Sequence, residues 1–276
     1  MGGYLRGTLL GGCLIRFHAV HGRDRALALA GQCFTAVIPL LIVISALAPS
    51  DNAFAQQLIR RFRLTGSAAE SVNQLFARPP GATGTITVLG LVVLFFSTLS
   101  FTRALQRTWE AAWELPTAGV RGTVHAVSGV GLLLAQILVL TLLTNAVRGW
   151  PGGGVIAVVL HVVIAAVLWL QLQYLLLARR VRQMDLVPGA LVAGLAQVAA
   201  SIYSSVWMPR VIGVDAERYG LIGVTFALLT WLVVMGLGVV VVAVISAEAG
   251  LRGRAEGGWR RGRAHRPATD AATPSG

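Results

Sequence analysis

The sequence predicts an all-α fold of the polytopic membrane class, with six transmembrane helices plus amphipathic helices at the N-terminus and in an outer loop. Two observations predict it. Of 276 residues, 55% are hydrophobic and only 12% are charged, with a mean hydropathy of +0.72, whereas a water-soluble domain carries about twice that charge. The stretch 221–247 contains no charged residue, and as a helix of roughly 40 Å it could cross a hydrocarbon core of about 30 Å.

Residues 1–22 precede the first apolar span. Leu10, Cys13, Leu14 and Phe17 recur at helical spacing, while Arg16 and other basic residues occupy different faces. This pattern predicts an amphipathic helix on the cytoplasmic membrane surface, held by anionic lipids. A gating role for this helix is the alternative.

Residues 23–249 form the predicted six-helix transmembrane domain. Its expected spans are the long uncharged runs of the chain, at about 26–48, 81–102, 125–147, 155–178, 186–208 and 221–247. Residues 250–276 are rich in Gly, Arg and Pro without apolar periodicity. They are predicted to be a disordered cytoplasmic tail, and we expect no nucleic-acid partner.

The outer loop between the first two spans, residues 49–80, has a helical pattern of its own. Its first half predicts a short amphipathic helix, and Ser67 with Glu70 forms a capping box that opens a second. The pair could cover a cavity as a lid or rest among the lipid headgroups.

Arginine placement predicts the orientation. The chain has no lysine, and 16 of its 23 arginines fall in the N-terminal segment, the even-numbered loops or the tail. Positive residues are retained on the cytoplasmic side, so both termini should be cytoplasmic. Cys13 and Cys33 are interpreted as reduced packing residues rather than a disulfide.

Polar residues within the spans are the candidates for a solute pathway. In hydrocarbon such groups need partners or water, so they should face the bundle interior. The alternative is that these residues form hydrogen bonds between helices, each of which stabilises the bundle by about 1 kcal/mol. Gln136 and Gln173 also lie within spans, and the candidate cavity-lining residues are Gln32, Thr35, Pro39, His161, Gln171, Gln197 and Ser201.

Glu248 closes the last span, where the helix macrodipole disfavours an anion by about 0.3 to 1 kcal/mol. A positive partner is therefore expected. Arg103 or Arg107, in the loop after the second span, is the predicted partner. A proton relay at Glu248 is the alternative.

Several of these stretches resemble the YihY/BrkB family of inner-membrane proteins. The resemblance covers most of the chain in order and spacing. It rests on Ala28-Leu29-Ala30 and Ile38-Pro39-Leu40-Leu41, on Arg103-Ala104-Leu105-Gln106 with Trp113, on Pro188-Gly189-Ala190, and on Tyr219-Gly220 with Trp231 and Glu248. The chain departs from the family pattern at Glu110, where the family has Asn, and at Ser246, where it has Gly.

The resemblance implies a multi-pass protein of the bacterial cytoplasmic membrane, and transport or efflux as its activity. The family was once labelled ribonuclease, but the residues argue against that chemistry. The five histidines, including His18 and His21, form no H-x-H or H-x-x-x-H pair beside carboxylates. No hydrolase or phosphate-binding signature occurs either, so we expect no enzyme, cofactor or metal.

The sequence therefore favours a transporter or exporter of small solutes, bound to the lipid bilayer and acting on an unidentified small molecule. A non-transporting envelope scaffold or lipid-interacting protein is the alternative. The two differ in whether the polar side chains of the first, fourth and fifth helices converge on one water-filled cavity.

Overall fold

The computed structural model describes residues 8–47, 65–76, 84–119 and 153–264, with scattered positions at 55–60 and 122–142. All regular structure among these residues is helical, as predicted. The described positions from 122 to 142, in the expected third span, are also helical. The continuous elements are α1 (Leu9–Ala19), α2 (Gly22–Leu47), α3 (Gly66–Phe76), α4 (Gly84–Ala112), α5 (Gly153–Leu176) and α6 (Gln183–Ala264).

Helix α1 confirms the predicted N-terminal helix over the part of residues 1–22 that the structure describes. Thr8 caps it, because its hydroxyl accepts a hydrogen bond from the backbone N–H of Gly11 at 3.2 Å. His21 then takes a positive φ of 52°, and the chain turns directly into α2.

Helix α2 covers the first predicted span and passes through Pro39. Helix α3 confirms the second predicted helix of the outer loop. The first helix of that loop is described only at residues 55–56 and 59–60, which are helical. Helix α4 extends beyond the predicted end at residue 102 to Ala112, because its last turns are buried in the core described below.

Helix α6 covers the fifth and sixth predicted spans, and the loop expected between them is almost absent. The helix continues through Pro209 as far as Gly220, where φ is 58° and ψ is −136°. Only glycine adopts such a conformation readily. The helix persists past residue 208 because Met208 and Ile212 are buried against neighbouring residues.

The two halves of α6 fold back on each other as an antiparallel hairpin. Trp231 donates to Ser204, and a Cβ at Gly189 would touch Ser246. Arg254 reaches Asp185 at the open end. These pairs are nested around Gly220, which is therefore the hairpin turn.

Helix α6 also runs past the predicted tail boundary at residue 250, to Ala264. Its extension is anchored by Arg252, which donates to Glu248 at 2.8 Å, and by Arg254, which donates to Asp185 at 2.7 Å. Adding residues to an existing helix is far easier than starting a new one. Residues 265–276 lie outside the described part of the chain.

Four helices among the described residues are long and apolar enough to cross a membrane: Val88–Ala112, Val158–Leu176, Gln183–Gly220 and Ile222–Arg254. They correspond to the second, fourth, fifth and sixth predicted spans. The first expected span is a helix without being one of these four, and the third lies largely outside the described residues. The count of six spans stays a prediction.

Two buried clusters mark opposite ends of the bundle. The larger, which we call the basal core, joins the start of α2, the ends of α4 and α5, and both outer ends of the α6 hairpin, with Trp109, Leu172, Leu186 and Val240 fully or almost fully buried. The smaller joins α3 to the turn of the α6 hairpin. The helix ends that arginine placement assigns to one side of the membrane therefore lie together in the basal core.

Between the two clusters the helices expose apolar side chains around the bundle. Leu89, Phe96, Val163, Val167 and Leu195 are each more than half exposed. A water-soluble protein would not expose so many large apolar residues on its central helices. The pattern is that of helices surrounded by lipid.

Candidate functional site

On α2, the structure places the three predicted cavity residues in different surroundings. Gln32 is half-buried, and its Oε1 accepts no hydrogen bond from any residue that the structure describes. Thr35 is exposed and donates to the Gly31 carbonyl at 2.8 Å. Pro39 is buried. Their spacing of three and four residues places them on one face of α2.

On α5 and α6 the predicted residues also diverge. His161 is half-buried, whereas Gln171 and Ser201 are exposed. Only Gln197 lies within a polar contact between helices. Two clefts formed by described residues, presented below, contain none of the seven candidates.

Gln197 is the centre of a polar contact about 20 Å from the start of α6. Its Oε1 accepts a hydrogen bond from Gln136 Nε2 at 2.7 Å and from the indole N–H of Trp169 at 2.6 Å. Gln136 is buried, and no described residue forms a hydrogen bond with its own Oε1. Three predicted spans therefore meet at one amide.

A second polar contact lies one turn nearer the basal core on α5. Ser246 donates to Gln173 Oε1 at 2.8 Å, and both side chains are fully buried. Gly189 makes room for this pair, since a Cβ there would lie 1.9 Å from Ser246 Oγ. Within the part of the chain that the structure describes, Gln173 Nε2 has no hydrogen-bond partner.

Stacked indoles connect these contacts to α4. The rings of Trp109 and Trp169 lie 6.0 Å apart at 20°. Trp109 is fully buried, and its indole N–H has no hydrogen-bond partner among the described residues. An unpaired buried polar group costs about 1 to 3 kcal/mol, so three such atoms in one region of a membrane bundle are unusual. We call the side chains of Gln136, Gln173, Ser246, Gln197 and Trp169 the interior polar line.

At the basal end, Glu248 is held by two arginines. Its Oε2 accepts from Arg16 Nε at 3.1 Å and its Oε1 from Arg252 Nε at 2.8 Å. The predicted pairing with Arg103 or Arg107 is therefore wrong. Arg103 donates to the Gly119 carbonyl, and the Arg107 carbonyl accepts from Arg25.

Arg16 connects α1 to both α4 and α6. Besides Glu248, its Nη1 donates to the Ala112 carbonyl at 2.8 Å and to Glu114 Oε1 at 2.7 Å. Gly12 permits this approach, since a Cβ there would lie 2.2 Å from Glu248 Oε1. Arg16 was predicted to lie on the membrane surface, because no neighbouring residue in the sequence indicates a partner so far along the chain.

A cleft of about 530 Å³ opens between α1 and these helix ends. Glu114, Glu248 and Arg16 line it, and its other lining residues are small or apolar. Nearby, burial and the negative charge of Glu248 raise the pKa of the Cys13 thiol above its ordinary value. The lining residues are Gly12, Ile15, Arg16, Ala19, Val20, Ala111, Glu114 and Glu248.

A second ion pair closes the basal core. Glu110 is 3% exposed and accepts from Arg180, from Gln106 Nε2 at 3.3 Å and from the Ala118 backbone N–H at 3.0 Å. Arg180 also donates to the Pro116 carbonyl. Sequence reasoning noted Glu110 only as a departure from the family pattern, because its arginine lies far along the chain.

The remaining motif residues lie in three different surroundings. Trp113 is buried beneath the guanidinium of Arg254, which lies 5.5 Å from the ring centroid. Trp231 donates its indole N–H to Ser204 Oγ at 2.9 Å across the α6 hairpin. Tyr219 is 67% exposed beside the Gly220 turn. Among described residues, no group of three or more His, Cys, Asp or Glu could hold a metal ion.

Long apolar helices, an apolar lipid-facing surface and buried interhelical polar contacts define a multi-pass helical membrane protein. The family model described as Virulence factor BrkB matches residues 14–265. The chain belongs to that family, which confirms the resemblance. No curated protein and no solved structure matches the chain.

Proposed function

We propose that the protein moves a small polar solute across the membrane, as a transporter or exporter rather than an enzyme. The observation that supports it is the interior polar line, which runs from the basal core to Gln197, about 20 Å along α6. Within the described part of the chain, Gln136 Oε1 and Gln173 Nε2 keep unpaired hydrogen-bonding capacity. One free acceptor and one free donor suit a neutral or zwitterionic polar solute, or the water that accompanies it.

The basal cleft supports an entrance at the same end of the bundle. Its volume of about 530 Å³ falls within the range of small-molecule sites. Arg16 and Glu248 in its wall are mutually paired, so a polar solute would meet a charged surface already neutralised. Ser246, on the interior polar line, lies two residues before Glu248 on α6.

In this proposal the protein sits in the bacterial cytoplasmic membrane with both termini in the cytoplasm, so the basal cleft faces the cytoplasm. The clustering of Arg16, Arg180, Arg252 and Arg254 at the basal end supports that orientation, since arginine is retained on the cytoplasmic side. Anionic lipids would surround this end.

The alternative is a scaffold or lipid-interacting protein without transport. The exposure of Thr35, Gln171 and Ser201 favours it, because side chains exposed on central helices are positions that lipid could contact. The exposed Leu10 and Leu14 on α1 would then serve lipid contact alone.

Flux into vesicles separates the two. Purified protein is reconstituted and tested with a panel of neutral, zwitterionic and charged solutes against protein-free vesicles. Gln173→Leu should lower any flux by about tenfold or more, whereas Gln171→Leu, on the lipid-facing side of the same helix, should leave it unchanged. Equal yield and helicity of both variants is the control. Absence of flux for every solute would favour the scaffold.

A further inference from the structure

A second cleft lies at the turn of the α6 hairpin, at the opposite end from the basal core. Its volume is about 290 Å³. One carboxylate, two aromatic rings, one aliphatic side chain and a glycine backbone form it. These are Asp215, Tyr219, Ile222, Gly223 and Phe226.

The glycine turn creates this cleft. Gly220 reverses the chain, and Gly223 then meets the incoming half so closely that a Cβ there would lie 2.0 Å from the Asp215 carbonyl oxygen. On each half, the lining residues are four apart, so they share one helix face. Asp215 on one half and Phe226 on the other therefore line the same cleft.

The lining has a single charge with no partner. Asp215 is half-buried, and within the described part of the chain nothing donates a hydrogen bond to its carboxylate or forms an ion pair with it. Glu217 and Arg218 are exposed and do not line the cleft. Tyr219 and Phe226 are 67% and 62% exposed, so their rings are available to a ligand.

We propose that this cleft binds a small organic ammonium ion. The Asp215 carboxylate would supply the counter-charge, and the faces of Tyr219 and Phe226 would attract the cation through their ring quadrupoles. The volume admits a group the size of a choline head. Such an ammonium could come from a free amine in water or from a lipid headgroup.

Binding of choline to the detergent-purified full chain tests the proposal. The matched probe is 3,3-dimethyl-1-butanol, in which a carbon replaces the ammonium nitrogen, and equilibrium dialysis or ligand-observed NMR reports the affinities. The wild type should bind choline at least several-fold more tightly than this neutral isostere. Equal affinity for both would mean that the cleft is only apolar, and would overturn the proposal without any variant.

Variants then assign the residues. Asp215→Asn should weaken choline binding by about tenfold and Phe226→Leu by about fivefold, while the control Glu217→Gln, an exposed carboxylate two residues away, should have no effect. Phe226→Leu keeps the test valid if Asp215→Asn fails to fold. If Glu217→Gln and Asp215→Asn weaken binding equally, the attraction is general surface charge and the proposed site is wrong.

A measurement with lipids distinguishes a free amine from a lipid headgroup as the source of the ammonium ion. Native mass spectrometry of protein from vesicles of equal phosphatidylethanolamine and phosphatidylglycerol should show ethanolamine lipid retained by the wild type and lost in Asp215→Asn if the headgroup is the ligand. Choline binding without such retention points to a free amine. Failure of both arms overturns the site. Neither measurement requires flux, so the proposed transport can fail while this site stands.

Discussion

Replacing Glu248 by Gln should destabilise the protein through Arg16 more than through Arg252. The change removes the charge while keeping the shape of the side chain. Glu248 and Arg16 are 12% and 15% exposed, whereas Arg252 is 30% exposed and lies four residues away on the same helix. The pair with Arg16 is therefore the better shielded from solvent.

The expected magnitude follows from these surroundings. Hydrogen bonds to charged groups contribute about 1.5 to 3 kcal/mol, and breaking a buried ion pair costs about 3 to 5 kcal/mol. Because this pair retains some exposure and Arg16 keeps Glu114 and the Ala112 carbonyl as partners, we expect a loss of about 2 to 3 kcal/mol. The i,i+4 pair with the more exposed Arg252 should contribute less, about 0.3 to 0.5 kcal/mol.

Double-mutant cycles measure both couplings. Unfolding free energies of purified protein in mixed micelles can be followed by tryptophan fluorescence, since the chain has seven Trp. Glu248→Gln with Arg16→Met should show a coupling of about 1 to 2 kcal/mol. The matched control is Arg107→Gln, whose loss should add to that of Glu248→Gln within about 0.5 kcal/mol. Additive losses for Arg16, or equal coupling to Arg107, would refute the proposed network.

Three further predictions follow from the fold. Alkylation of Cys13 at neutral pH should be slow and should accelerate in Glu248→Gln, because removing that negative charge lowers the thiol pKa. An unchanged rate would mean that the Glu248 carboxylate does not lie near the thiol. Gly189→Ala should cost about 1 to 3 kcal/mol by overpacking against Ser246, seen as a lower midpoint of unfolding, and Ser246→Gly should partly restore it. In a cysteine-free background, Glu70→Cys should react with an impermeant maleimide in intact cells and Met184→Cys only after lysis; the reverse pattern would invert the topology.

The sequence predicted the helical class, four of the spans and the N-terminal helix, because hydropathy and capping residues act locally. It could not predict which side of a helix each glutamine faces. Gln171 and Gln173 are two residues apart and therefore about 200° apart around α5. One is exposed and the other fully buried, a difference set by where α6 packs.

Long-range partners were missed for a related reason. Glu110 and Ser246 stood out only as departures from the family pattern, yet both are buried and bonded, to Arg180 and to Gln173. A buried carboxylate without a partner would cost several kcal/mol. The burial of Glu110 explains why it has a positive partner, but the local sequence contains no information on its burial or on which arginine pairs with it.

The arginines that predict orientation also hold the basal end of the bundle together. Arg16, Arg180, Arg252 and Arg254 each form an ion pair there. Removing their charge would weaken the cytoplasmic retention signal and the packing of α1, α4 and α6 at the same time. A loss of function after arginine substitution would therefore not distinguish an inverted protein from an unfolded one. Cysteine labelling separates the two effects, because it reads orientation while these ion pairs remain intact.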